Sequence, residues 1–110
     1  MKMYIAVLDE VPDHMVPVLV AHSVLGAHFT FSKELYNDTL YNVWLDTSFK
    51  KVVLKVNRKE LRKIAELDDI YLGHEKHTLH GIDSCVVVCP REDNPKVLTF
   101  AKMWKPNSPV

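Results

Sequence analysis

Apolar residues fall along this chain in short blocks whose internal spacing changes from block to block. Residues 3–9, MYIAVLD, form a run closed by an acidic, proline-containing turn, which predicts a buried strand. A helix opening at Asp13 or His14 comes next, with Pro17 near its first turn, where a missing N–H costs least. Its body, VPVLVAHSVLGAHF, is apolar nearly all round, so burial on most sides is expected. Gly26 inside it costs about 1 kcal/mol relative to alanine, which marks a point of close packing.

Residues 31–48 are mixed. Ser32 can cap a short helix through Leu35, and NDTLYN then predicts loop. FKKVVLKV, residues 49–56, combines β-branched residues with lysines and predicts a partly buried strand. Asn57 and Glu60 have capping-pair spacing, and Leu61, Ile64 and Ala65 supply the apolar stripe of a helix to Glu66. DIYLG at 69–73 is a short strand, and IDSCVVVC at 82–89 is apolar enough to lie mid-sheet. Asn94 as N-cap and Pro95 at the first helical position start a last helix with Val97, Leu98 and Ala101 on one side. The predicted order is β-α-(α)-β-α-β-β-α. It implies parallel pairing across a right-handed crossover, with the last two strands as neighbours. The fold class expected is therefore α/β, a mixed four-stranded sheet with helices on both faces. One domain spans 1–105, and a frayed tail covers 106–110.

Composition narrows this little: 47% apolar and 25% charged residues suit an ordinary globular chain. The longest apolar run, at 15–20, is interrupted by Pro17 and too short for a bilayer, and no signal peptide is visible at the start. A cytoplasmic protein with no membrane partner is the expectation. Cys85 and Cys89 would sit about 13 Å apart along a strand at ~3.3 Å per residue. A disulfide needs Cα atoms within ~7 Å, so both are expected as free core thiols. Charge changes the picture more. The net charge is zero, yet residues 50–63 hold seven bases (Lys50, Lys51, Lys55, Arg58, Lys59, Arg62 and Lys63) against one acid, Glu60. That segment is either a solvated face or an anion-facing surface.

The stretch YLGHEKHTLHG carries three of the six histidines, His74, His77 and His80, at a spacing of three. In a helix these drift around the axis, and in a strand the first two point to opposite faces, so a metal would need a loop and help from Glu75 and Asp83. No metal site and no cofactor is expected. Spacing does not decide between a polar turn and a pocket loop whose histidines bind or move protons.

Three segments, in order, resemble the peptidyl-tRNA hydrolase type 2 family across residues 3–104. VAHSVLGAH at 20–28 resembles the family's first-helix signature, KKVVLKVNRKELRKIAE at 50–66 its second strand and charged helix, and GIDSCVVVCP at 81–90 its last strand. The resemblance implies a cytosolic enzyme that, without a cofactor, cleaves the ester between a peptide and a tRNA 3′ end. Its first-helix histidine falls on His22. The family's lysine and glutamine fall on Met15 and Leu19, which can neither carry charge nor donate to an oxyanion. Its Asp-Ala-Gly-x-Thr loop falls in the region of GHEKHTLHG, which has no Asp-Ala-Gly; with a shift in the alignment Glu75 stands for the acid and Thr78 for the threonine. The expected catalytic set is His22, Glu75, His77 and Thr78, with the histidine loop as the rim of the pocket. Lys51, Lys55, Arg58, Lys59, Arg62 and Lys63 are the expected tRNA phosphate contacts, and Trp44, Tyr71 and Trp104 are candidates for stacking on a base. The competing expectation is a non-catalytic member of the fold that binds or regulates. The apolar first helix also offers a surface for homodimerisation.

Overall fold

The computed structural model describes residues 1–32, 35–74 and 83–107. Its centre is β1 (Lys2–Leu8), whose run of apolar residues is buried on both faces from Ile5 to Leu8. β2 (Lys50–Val56) pairs with it in parallel, from Lys2 against Lys50 to Leu8 against Val56. On the other side β4 (Asp83–Val88) runs antiparallel to β1, and β3 (Ile70–His74) runs antiparallel to β4. The strand–helix–strand crossover and the neighbouring last pair follow the sequence pattern. The strand count does not, because a fifth strand, β5 (Lys102–Met103), pairs antiparallel with β2. The mixed sheet is therefore β3-β4-β1-β2-β5. Two residues carry no periodic signal, and the final helix predicted through Ala101 stops at Thr99.

Four helices are found among the described residues, and two of them pack directly on the sheet. A single 3-10 turn at Asp13–Met15 leads into α1 (Val16–Phe31), and α2 (Leu35–Asp46) follows. α3 (Arg58–Ala65) lies between β2 and β3, and α4 (Lys96–Thr99) precedes β5. Alternation along the strands assigns the faces. Ile5, Val7, Tyr71, Gly73, Cys85 and Val87 turn toward α1, whereas Ala6, Leu8, Leu72 and Val86 turn toward α3.

α2 replaces the loop expected at NDTLYN. Tyr41 and Trp44, three positions apart, lie on one helical face and are each 1% exposed. Their burial outweighs the weak helix propensity of the asparagine, aspartate and threonine before them. α1 departs from expectation in the opposite sense. Only Val16, Leu19, Ser23, Ala27 and Phe31 are buried, while Val18, Leu25 and Phe29 are each more than half exposed. The segment Asp13–Phe31 is long and apolar enough, by length and composition, to cross a membrane, a longer stretch than the run at 15–20 suggests. In the fold it lies along the sheet as a core helix with an open outer side.

Gly26 marks close packing as expected. The Tyr71 ring lies on it, with Cε1 2.9 Å from where a Cβ would be. Both cysteines are free and buried. α3 has the predicted cap: Asn57 Oδ1 accepts from the Glu60 amide at 2.8 Å, and Glu60 Oε1 accepts from the Asn57 amide at 3.0 Å.

Candidate functional site

The strands bring one end of the sheet together with the starts of two helices. Val7 pairs with Lys55 on one side and Cys85 on the other, and Cys85 pairs with Gly73, so these four residues form a row across the sheet. Just beyond that row β1 and β2 end, β3 ends at His74, and β4 begins at Asp83. The connection at 75–82 therefore leaves and returns at this end. The same end holds the starts of α1 and α3, because a parallel crossover must bring each helix back along the sheet.

α1 touches the row through Ser23. A Cβ on Gly73 would lie 2.9 Å from Ser23 Cβ and closer still to its Oγ, so glycine is what lets the helix settle on β3. Ser23 is buried, and its Oγ has no hydrogen-bond partner among the described residues. Beside it the Cys85 thiol is pushed up to about 11 by burial, an effect that the Ser23 hydroxyl opposes. Neither group can serve as a nucleophile: Ser23 is out of reach of a substrate, and Cys85 holds its proton.

His22 precedes Ser23 and lies one turn before Gly26, on the flank that Tyr71 covers. Its side chain is exposed and makes no hydrogen bond or ion pair among the described residues. An exposed imidazole with no partner among the described residues can accept a proton from a water or hold a substrate oxygen. Glu75, His77, Thr78 and His80 lie outside the described residues, as does the side chain of His74. Among the described residues, β3 reaches α1 through Gly73 against Ser23, and β4 begins beside it at Asp83.

Met15 and Leu19 also lie at the start of α1. Leu19 is 2% exposed, inside the core, and Met15 packs half-buried against it. Both are packing residues here.

The cations do not share one surface. Lys51 and Lys55 lie on the α1 side of β2, where the Lys51 ammonium stands 3.2 Å from the centre of the Phe49 ring and the Lys55 ammonium stands over Trp104. Lys55 Nζ also donates to Asn107 Oδ1 at 3.3 Å. Asn107 in turn donates to the Asp13 carboxylate from its amide at 2.7 Å and from its side chain at 3.2 Å. The tail is thus tied down as far as Asn107. Arg58, Lys59, Arg62 and Lys63 are exposed on α3, across the sheet. Arg58 forks onto Glu10 at 2.6 and 2.7 Å and holds that carboxyl below the usual carboxylate range. Lys55, Arg58 and Lys59 lie at the sheet end where β1 and β2 finish, and Arg58 and Arg62 line one cleft with Asp83 at the start of β4. Lys51, Arg62 and Lys63 lie farther along their elements.

Trp44 is not a stacking platform. It is buried, and its Nε1 donates to the Lys50 carbonyl at 2.9 Å. Tyr71 and Trp104 are half-buried with an edge to solvent. Sequence reasoning missed Ser23 and Gly73, whose contact fixes α1 against β3; a glycine within a short strand was the available signal. No family model matches this chain, and no curated protein matches it.

Proposed function

We propose that the corner between α1 and the end of β3 receives the peptide or aminoacyl ester at a tRNA 3′ end, in the cytoplasm and without a cofactor. The observation that carries this reading is the shared location of an exposed, unpartnered His22 and the two anchors of the connection 75–82. The resemblance assigns the family's histidine, acid and threonine to those two segments. In this chemistry His22 takes a proton from a water as the water oxygen attacks the ester carbonyl. Thr78 donates to the oxyanion that forms, and Glu75 and His77 orient the water and the imidazole. The C–O bond to the ribose then breaks, and the departing 3′ oxygen takes the proton back from His22. Lys55, Arg58 and Lys59 meet the nearest phosphates, with Lys51, Arg62 and Lys63 along the approach.

The test is release of the N-blocked amino acid from N-acetyl-aminoacyl-tRNA by the wild type and by His22→Ala, at low and moderate salt. The proposal expects release that weakens with salt and falls at least 100-fold in the variant. Equal release by the two proteins would remove His22 from the chemistry.

A second reading, a non-catalytic member of the fold that binds without cleaving, draws on one observation. Leu19 lies inside the core at the position where the resemblance expects a polar glutamine. Binding of the tRNA with no release, by either protein, would decide for it.

A further inference from the structure

On the other face of the sheet a cleft of about 310 Å³ opens between α3 and the β3–β4 pair. It lies outside the corner described above, and the proposed ester chemistry uses none of its floor, although Arg58 and Arg62 at its mouth also belong to the proposed RNA approach. Its floor is apolar, made by Leu8, Leu61, Ala65, Leu72 and Val86. Leu72 is 42% exposed, on the α3 side of β3. The volume falls at the lower end of the range of small-molecule sites, which combine an apolar lining with a few placed polar groups.

The polar groups at the mouth are asymmetric. Arg58 and Arg62 stand one turn apart on the α3 wall, and Asp83 stands on the β4 side. Arg58 is neutralised by its fork onto Glu10, which also fixes its position. Arg62 has no ion-pair or hydrogen-bond partner among the described residues. The cleft therefore offers one uncommitted guanidinium above an apolar floor. A planar guanidinium matches a carboxylate with two parallel N–H···O bonds.

We propose that this cleft binds a small carboxylic acid with an apolar body, a monoanion whose carboxylate sits on Arg62 and whose body covers Leu72 and Val86.

Phenylacetate titrated into isotope-labelled protein tests the proposal by amide chemical shifts. Saturable shifts centred on Leu61, Ala65, Leu72 and Val86 are expected. Phenylacetamide, which lacks the charge, should bind at least fivefold more weakly. Arg62→Gln, a change at an exposed position, should keep the spectrum of a folded protein and weaken phenylacetate at least tenfold. Absence of saturation, shifts confined to α1, equal binding of the amide, or an unaffected Arg62→Gln protein would each overturn it. Because the cleft and the His22 corner lie on opposite faces, failure here leaves the ester reading standing, and the reverse holds.

Discussion

α1 carries no aspartate, glutamate, lysine or arginine in sixteen residues, whereas five of the eight residues of α3 are charged, yet both helices cover the same sheet. On the α1 face the chain is held by fit. Ser23 sits on Gly73, Tyr71 on Gly26, and Tyr41, Trp44 and Phe31 form a buried aromatic cluster with Phe31 edge-on to Tyr41. On the α3 face Leu61 and Ile64 supply the burial, and the rest is polar: a capping box and the Arg58–Glu10 fork. Fit closes the seam between α1 and β3, and the opening on this face, about 320 Å³, lies instead between α1, α2 and Lys51. A short amphipathic helix leaves its flank open, and the cleft beside Arg62 is the result.

The comparison predicts that substitutions will cost most on the α1 face. Trp44→Ala should be the worst, at about 3–5 kcal/mol, because it removes a fully buried ring and the bond to the Lys50 carbonyl. Urea unfolding measures this, and a loss below 1 kcal/mol would mean that α2 is peripheral.

The next effect is one of pH. Burial pushes the Cys85 thiol up to about 11 and Cys89 to about 12, against 9.0 for an unperturbed thiol. Below pH 9 both states hold their thiol protons, so nothing changes there. Above it the unfolded chain ionises first and binds fewer protons, so stability falls as pH rises toward 11 and 12. The Cys85 share is on the order of 2 kcal/mol. Cys85→Ala should flatten the decline between pH 9 and 11, and an unchanged slope would place the thiol in a wet environment.

Gly73→Ala follows, at about 1–3 kcal/mol, since the added methyl meets Ser23 directly. Ser23→Gly in the same protein should recover much of that loss, a coupling that two independent sites would not show. Asn57→Ala on the α3 face should cost least, about 1 kcal/mol, by removing one half of the capping box. A cost above that of Gly73→Ala would reverse the ranking of the two faces.

The same contrast explains what the sequence made legible. α3 announces itself through Asn57, Glu60 and a stripe at Leu61 and Ile64, all local signals that burial does not alter. β1, β2 and β4 follow from apolar runs bounded by turn residues, and their pairing follows from chain order. α1 is apolar on every side, so its sequence does not say which side is covered; only the contacts with Gly73 and Tyr71 do. α2 was hidden because its start is polar and its burial depends on Tyr41 and Trp44 meeting residues far away in the chain. The corner around His22 was legible as topology, since a β3–β4 hairpin and a crossover helix meet at one sheet end. The division of the cations was less so, because Lys55 and Arg58 are neighbours in sequence but belong to a strand and a helix on different faces. The α3 cleft was not legible at all: it needs Leu72, Val86 and Arg62 from three elements.

The most direct test of the account is where an acceptor-stem RNA ending in CCA touches the labelled protein. Amide shifts should appear along His22–Gly26 and Tyr71–His74 and weaken with salt. Shifts confined to α3 and the cleft, with none along α1, would contradict the assignment of the tRNA end to the His22 corner.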